Sequence, residues 1–458
     1  MYPCTSVFHI SHMGVMRKAI GYIMNANSLL GRMLCITAYI LTYDFMFEHF
    51  VFKLFYYMGL DYIEMEPLPK TLWITFSILP FTLYKGIKSM SSYFCIFLYL
   101  LVYIPFIHAL FVTNGIDAYS LYSYACVMCL FFIVYFGMDS WRNLFKPLEL
   151  RPALSFRWIE IITLIITAIF VLSRMKSMHF VNIFTQSDVL YDLRSQNSEA
   201  INGGGGFIAY LQGWLSGAFY PFLLVCYLRE KKWLKALAIL FGYILLFMVD
   251  MQKITFVMPF VLVALYFVVQ LKHETISQRL HSLIIVTTVI ISFALYFAQD
   301  NEILFVVGAI VLLRTVCVAG WLSQFYLHFF SEHPYTHYSH INIVNAITNA
   351  YPYDVPLGVV VAHGTQNANA NFFLTDGIAA WGLSGVVIIG VFFFVLLQFI
   401  NAIAFRYELK DLFVVFLPTL SFLLNTSIFT TLLSSGMFIL LIILLMVESP
   451  LVKNKTPT

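Results

Sequence analysis

Long apolar runs recur along almost the whole chain and are separated by short polar connectors. A helix needs about 20 predominantly apolar residues to cross a bilayer core, and the runs have that length. They lack the alternation of a transmembrane barrel, so we expect helices. The pattern predicts about 12 spans, near 29–47, 70–86, 92–113, 117–137, 156–173, 207–228, 233–249, 254–271, 281–297, 376–400, 410–424 and 428–447. The predicted fold is all-α, a polytopic integral membrane protein with one membrane domain over 1–458.

The composition supports this fold class. Hydrophobic residues make up 61% of the chain and charged residues 11%. In soluble domains about 45–50% of the residues are apolar and about 25% are charged. These values exclude a soluble domain. The segment before Leu29 lacks the short apolar core and cleavage site of a signal peptide, so we expect it to stay on the chain. Cys126 and Cys129 lie in a predicted span, where we expect buried thiols rather than a metal or redox site.

Lysine and arginine residues are concentrated in alternate connectors. Because these residues accumulate on cytoplasmic loops, they indicate the orientation of the chain. The clusters are Arg17/Lys18, Lys85/Lys88, Arg142/Lys146/Arg151/Arg157, Arg229/Lys231/Lys232/Lys235, Lys272/Arg279, Arg406/Lys410 and Lys453/Lys455. All lie on one side if both termini are cytoplasmic. Residues 174–206 and 320–375 then form two large outer loops, and loops of that length are usually functional.

One apolar run, 302–330, does not fit the count. Taken as a thirteenth span, it would reverse every later connector. We therefore predict a re-entrant or interfacial segment on the outer side, because irregular backbone is tolerated there when protein or water surrounds it. An ordinary span with an error elsewhere in the count is the alternative.

Several cations and glycines are candidates for binding an anion on the outer side. Tyr191 and Arg194 precede a glycine run at 203–206, whose backbone amides suit a phosphate, although a flexible hinge is the alternative. Lys253 opens a predicted span and either binds a ligand or extends toward the interface. Arg314 lies in an apolar run, where exposure to lipid would cost at least about 2.5–3.5 kcal/mol, so we expect it to face a cavity or an anion.

The second outer loop contains histidines among tyrosines, including Tyr335. His333, His337 and His340 are candidates for proton transfer or for hydrogen bonding to a substrate. A metal site is less favoured because the segment contains neither an acidic cluster nor an HExxH motif. An aromatic belt at the membrane interface is the structural alternative.

Amides and a carboxylate follow in the same outer loop. Asn369 and Asn371 belong to an alternating stretch that suits a hydroxyl-rich ligand. Asp376 stands at the outer end of the next span as either a proton acceptor or a helix cap. Small residues after it, at Gly377 and Gly385, are expected to allow close helix packing.

Taken in order, these features resemble the O-antigen polymerase family over about residues 185 to 390. The resemblance rests on Arg194 with Gly205, on Lys253 in MQKITFVMP and on Arg314 ahead of QFYLHFF. It continues with YPYDVP, NANANFF and DGIAAWGLSG. The order of these motifs and their common outer placement carry the resemblance more than any single motif does.

The resemblance implies an enzyme of the bacterial inner membrane that joins lipid-linked oligosaccharide units at the periplasmic face. A growing glycan would move from undecaprenyl pyrophosphate to a sugar hydroxyl of the next unit. Implied partners are this lipid-linked glycan, membrane lipid, a chain-length regulator and a flippase, with no nucleic acid and no metal or other cofactor. The alternatives are a lipid-linked oligosaccharide flippase or an O-antigen ligase.

Residue chemistry and the resemblance together assign three groups of site residues. Pyrophosphate binding falls to Arg194, Gly205, Lys253 and Arg314, substrate binding to Tyr191, Tyr335, Asn369 and Asn371, and proton transfer to one of His333, His337, His340 and Asp376.

Overall fold

A computed structural model describes residues 29–141, 143–148, 152–179, 206–297, 301–302, 305, 308, 312–364 and 367–453. These residues are helical apart from loops and two isolated β-bridges, Leu154 with Val447 and Tyr407 with Val452. The predicted all-α fold is confirmed for this part of the chain.

Nineteen α-helices follow one another, several of them continuing across a π turn. They are α1 Leu29–Met46, α2 Lys53–Phe55, α3 Pro67–Ile78, α4 Met90–Leu98, α5 Ile104–Val112, α6 Ala118–Gly137, α7 Phe156–Arg174, α8 Gly206–Trp214, α9 Tyr220–Arg229, α10 Trp233–Asp250, α11 Lys253–Phe297, α12 Val318–Glu332, α13 Asn342–Thr348, α14 Leu357–Val361, α15 Ala379–Ala404, α16 Leu409–Val415, α17 Leu417–Leu423, α18 Ile428–Leu433 and α19 Met437–Met446. This count applies to the residues given above.

Eight helical segments within the described part are long and apolar enough to cross a membrane, so the chain is a multi-pass membrane protein. They are Leu29–Phe55, Met90–Val112, Ala118–Ser140, Phe156–Ser177, Phe207–Arg229, Trp233–Asp250, Lys253–Gln270 and Phe373–Ala404. Each matches a predicted span. The count of about 12 stays a prediction. Three of the other predicted spans form shorter or interrupted helices, and 281–297 continues the same helix, α11, that contains the predicted span 254–271.

Local sequence explains several of these interruptions. The π turns at Tyr99–Tyr103 and Leu215–Phe219 each come just before a helix with proline at its second position, Pro105 or Pro221. Proline lacks an amide hydrogen and clashes with the carbonyl four residues earlier, so the helix widens there. Gly436, with φ of +86°, separates α18 from α19.

The segment 302–330 is described mainly in its second half. A π turn at Leu313–Cys317 leads into α12, in which ten residues are buried. A Cβ atom on Gly320 would lie 2.7 Å from the carbonyl oxygen of Pro105, so α12 packs closely against α5. This burial fits a segment enclosed by protein rather than one lying on the interface, while a re-entrant path stays a prediction.

Basic residues of separate connectors meet at one end of the bundle, which we call the basic end. Arg229 pairs with Asp411 and donates to the carbonyl oxygen of Leu451 at 3.4 Å. Lys453 donates from Nζ to the carbonyl oxygen of Phe405 at 3.2 Å, just beyond the last residue of α15. The first residue of this 26-residue helix lies more than about 30 Å away, at the opposite end, which we call the site end.

A charged cluster ties α1, α3 and α5 together. His108 Nε2 lies 2.9 Å from Asp44 Oδ1, and Lys70 Nζ lies 3.2 Å from Asp44 Oδ2. Asp44 and His108 are buried, at 6% and 0% exposure. The carboxylate of Asp44 thus provides a hydrogen-bond acceptor for the buried imidazole of His108.

Replacing Asp44 by alanine should destabilise the bundle. Its loss leaves His108 Nε2 buried without its acceptor, at a cost of about 1–3 kcal/mol. Thermal unfolding of the purified protein in detergent measures the effect. Glu64→Ala is the matched control, because Glu64 is exposed. Equal melting temperatures for the two variants would contradict the role of the cluster.

Candidate functional site

The loop after α12 folds over the start of α15. Pro334 ends α12 because the residue before a proline is disfavoured in helical conformation, and His333 is extended. The amide of Thr336 donates to the carbonyl oxygen of Ala379 at 2.8 Å. His337 and Tyr338 adopt the left-handed conformation, with φ of +48° and +64°. These turns bring His340 back toward the bundle.

His340 reaches the carboxylate of Asp376 at the site end. The distance from His340 Nε2 to Asp376 Oδ1 is 3.1 Å, and the two side chains are 7% and 0% exposed. Ser427 Oγ donates to the same carboxylate oxygen at 2.7 Å. The amide of Ile428 donates to Asp376 Oδ2 at 2.7 Å. The carboxylate is therefore held by donors from two other segments.

Asp376 is a helix cap, but the helix that it caps is not its own. Its Oδ2 accepts the first amide of α18, from Ile428, while Ser427 Oγ accepts from the amides of Phe429 and Thr430. The two side chains thus satisfy amides that α18 cannot pair internally. Gly385 allows the backbone beside Asp376 to pack closely against α15, because a Cβ atom at residue 385 would lie 2.1 Å from the carbonyl oxygen of Gly377.

Both ring nitrogens of His340 have partners. Thr336 Oγ1 lies 2.9 Å from His340 Nδ1 and 3.1 Å from the carbonyl oxygen of Ala379. When the hydroxyl donates to Nδ1, Nε2 carries the hydrogen and donates to Asp376. When the hydroxyl instead donates to Ala379, it can accept from a protonated Nδ1. The cluster therefore accommodates neutral and charged imidazole without moving heavy atoms.

A cavity of about 540 Å³ opens beside His340, within the range of about 300–1,000 Å³ typical of ligand sites. Most of its lining can form hydrogen bonds. The polar members are Tyr326, Ser339, His340, Asn342, Asn345, Tyr351, Tyr353, Asp354, Asn369, Thr375, Thr426, Ser427 and Thr430. Hydroxyls, amides and aromatic rings in this proportion suit a ligand rich in hydroxyl groups.

The charge of the cavity is as informative as its polarity. In the described part of the chain its lining contains one carboxylate, Asp354, and neither lysine nor arginine. Across the same residues no three His, Cys, Asp or Glu side chains form a group that could hold a metal ion. What these residues offer a ligand is hydrogen bonding, aromatic faces and one carboxylate.

The structure separates the three predicted histidines. His340 lines the cavity, and His333 and His337 do not. His333 stacks on Phe329 with ring centroids 4.0 Å apart, and its Nδ1 lies 2.9 Å from the carbonyl oxygen of that residue. His337 packs against Trp381 in a T-shaped arrangement, with ring centroids 5.1 Å apart.

Of the predicted substrate-binding residues in the described part of the chain, one lines the cavity and two do not. Asn369 lines the cavity. Asn371 is 1% exposed, and its Oδ1 accepts from the amide of Phe373 at 3.1 Å, so it stabilises the local turn. Tyr335 stacks on Phe330 outside the cavity lining, with ring centroids 6.0 Å apart. Tyr191 lies outside the described residues.

Lys253 and Arg314, the two predicted anion-binding residues within the described part of the chain, do not line this cavity. Lys253 is exposed at the start of α11, three residues after Asp250, whose carboxylate accepts from Gln212 at 2.8 Å. Arg314 is exposed on the π turn before α12. Arg194 and Gly205 lie outside the described residues, so their placement stays a prediction.

Sequence reasoning missed Thr336, Ser427 and Asp354. Thr336 and Ser427 are ordinary polar residues in the sequence, and their roles depend on contacts made 43 and 51 residues away, with Ala379 and Asp376. Asp354 gave a usable signal, because it is the charged residue of the YPYDVP motif.

Fold and site together define a multi-pass helical membrane protein with a polar cavity at one end of its bundle. Comparison with known proteins adds no family to this description: no family model, no curated protein and no solved structure matches the chain. The resemblance to the O-antigen polymerases therefore rests on the sequence motifs.

Replacing Asp376 by asparagine should lower stability. The amide places a donor where the carboxylate accepts from His340, Ser427 and Ile428, and hydrogen bonds to a charged group contribute about 1.5–3 kcal/mol. Thermal unfolding in detergent tests this expectation against Glu332→Gln, a control at an exposed position. A melting temperature equal to that of the control would show that the buried carboxylate does not hold the site together.

Proposed function

We propose that the protein is a membrane glycosyltransferase that polymerises undecaprenyl-pyrophosphate-linked oligosaccharide repeat units at the outer face of the bacterial inner membrane. The observation that carries the proposal is the polar cavity beside His340, whose lining suits a glycan. The motif order that resembles the O-antigen polymerases gives the reaction.

The position of the cavity supports an outer active site. Arg229, Arg406 and Lys453 gather at the basic end, and basic residues accumulate on the cytoplasmic side of membrane proteins. The cavity is at the site end, beyond the other end of α15. With the basic end in the cytoplasm, in keeping with the orientation that the sequence predicts, the cavity faces the periplasm, where the proposed reaction joins repeat units.

The proposed reaction requires two separate subsites. The cavity holds sugar rings through side chains such as Asn369 and Tyr353. The pyrophosphate leaving group needs cations to stabilise its developing charge, and this role belongs in the proposal to Arg194, Lys253 and Arg314 with the amides near Gly205. The absence of lysine and arginine from the described cavity lining fits a division between sugar and pyrophosphate sites.

His340 has a positioning role in this proposal. Its two ring nitrogens are engaged by Thr336 and Asp376, which fixes the ring in the cavity wall. A fixed wall orients an acceptor sugar, and orientation accounts for a large part of the rate enhancement of a two-substrate reaction. Of the predicted proton-transfer residues, Asp376 is too deeply buried to meet a sugar, at 0% exposure.

A gel of surface polysaccharide tests the function directly. Cells lacking the protein should carry single repeat units in place of a ladder, and a plasmid copy should restore the ladder. Loss of even the single units, with lipid-linked units retained inside, would replace the polymerase proposal by a flippase. An unchanged ladder in the deletion strain would refute both.

Substituting His340 by alanine should shorten or abolish the ladder, because the cavity wall loses its fixed ring. His333→Ala is the matched control, since His333 belongs to the same loop but lies outside the cavity lining. Immunoblots of membranes establish equal amounts of the two variants. A normal ladder with His340→Ala at equal abundance would exclude the residue from the site.

A further inference from the structure

Asp354 is a carboxylate without a protein partner in the described structure. It lines the cavity and is exposed, and its side chain forms neither a hydrogen bond nor an ion pair with any other described residue. This differs from Asp376, whose two oxygens already accept three hydrogen bonds. The lone pairs of Asp354 are therefore available to a molecule in the cavity.

The loop that carries this carboxylate is held on both sides. The Tyr351 hydroxyl donates to the carbonyl oxygen of Val355 at 3.0 Å, and the Tyr353 hydroxyl donates to that of Pro334 at 2.5 Å. The two prolines of the YPYDVP motif restrict φ before and after Asp354. A polar side chain on a braced loop is oriented before its ligand arrives, which is what catalysis requires.

The other titratable groups of the cavity suit different tasks. His340 uses both ring nitrogens within the protein. Burial, reinforced by the neighbouring Tyr353, raises the pKa of Tyr351 to about 12, so its hydroxyl keeps its proton near neutral pH. Burial likewise raises the pKa of Tyr353. Both phenols therefore keep their protons, which they already donate to the carbonyl oxygens of Val355 and Pro334, and neither serves as a base for a sugar hydroxyl.

We propose that Asp354 is the catalytic base of the transfer reaction, taking the proton from the hydroxyl of the acceptor sugar. The assignment rests on the proposed function. The assignment also specifies the acceptor, which is a neutral sugar hydroxyl. The described lining of the cavity contains one carboxylate, that of Asp354, and neither lysine nor arginine.

The proposed step is balanced without a further reactant. The acceptor oxygen forms a bond to the anomeric carbon of the donor glycan while the bond from that carbon to the pyrophosphate oxygen breaks. The hydroxyl proton moves to a carboxylate oxygen of Asp354. The electron pair of the broken bond leaves with undecaprenyl pyrophosphate, and the carboxyl group later returns its proton to water.

The test uses the purified full-length protein in detergent and lipid-linked repeat units extracted from cells that lack it. Asp354→Asn keeps the size and the turn preference of the side chain but removes the base, and general bases contribute about 10²–10⁴-fold to rates. We expect polymer formation to fall by about that factor. Asp354→Glu, which keeps a carboxylate, should retain more activity than Asp354→Asn.

A chemical rescue separates catalysis from structure. Asp354→Ala leaves space for a small carboxylate, so added sodium formate should raise its rate and leave the rate of Glu332→Gln unchanged. Thermal unfolding should match wild type for Asp354→Asn, because the replaced side chain has no partner to lose.

Each outcome points to a separate conclusion. Failure of the wild-type protein to form polymer from the extracted units would overturn the proposed function and the inference with it. Polymer from both wild type and Asp354→Asn at similar rates would overturn the assignment of Asp354 and leave the function standing. A slow Asp354→Asn together with formate rescue of Asp354→Ala would support both.

Discussion

The buried carboxylate of Asp376 is the interaction on which the site end depends. An ionised carboxylate that protein encloses must receive hydrogen bonds on both oxygens, or its loss of hydration destabilises the fold. His340, Ser427 and the amide of Ile428 provide them. Three stretches of chain that are distant in sequence therefore meet at one point, and the cavity lies beside that point because His340 and Ser427 belong to its wall.

The two aspartates of the site illustrate how surroundings divide work between identical side chains. Asp376 is enclosed and fully bonded, so it organises structure, whereas Asp354 is exposed and unbonded within the described structure, so it is free to react. Environment rather than residue type assigns the roles of paired carboxylates in many enzymes. A structural carboxylate also keeps His340 oriented in either protonation state, because Thr336 can redirect its hydroxyl hydrogen to Ala379.

Irregular backbone at the site end is compatible with a membrane protein because its polar groups are paired. The amides of Thr336 and His337 donate to the carbonyl oxygens of Ala379 and Ala380, at 2.8 and 3.1 Å. These carbonyls lie beside the kink at Trp381 and Gly382 in α15. Helix interruptions elsewhere have local causes, such as the prolines after two π turns. The membrane requires satisfied backbone groups, and the loop supplies partners where the helix ladder fails.

The sequence by itself determined the all-helical class and eight of the predicted spans, because a bilayer selects for apolar length, which a window of about 20 residues records. The summed hydropathy of such a window does not change when the helix breaks inside it. Hydropathy therefore missed the helix breaks near Phe416 and Gly436. Sequence reasoning also assembled a group of proton-transfer candidates in which His340 and Asp376 were present but unpaired. Only the tertiary structure joined these two residues, which are 36 positions apart, and left Asp354 free in the cavity. The reason is physical: hydropathy acts on each segment separately, whereas a hydrogen bond or a cavity exists only after distant segments have packed together.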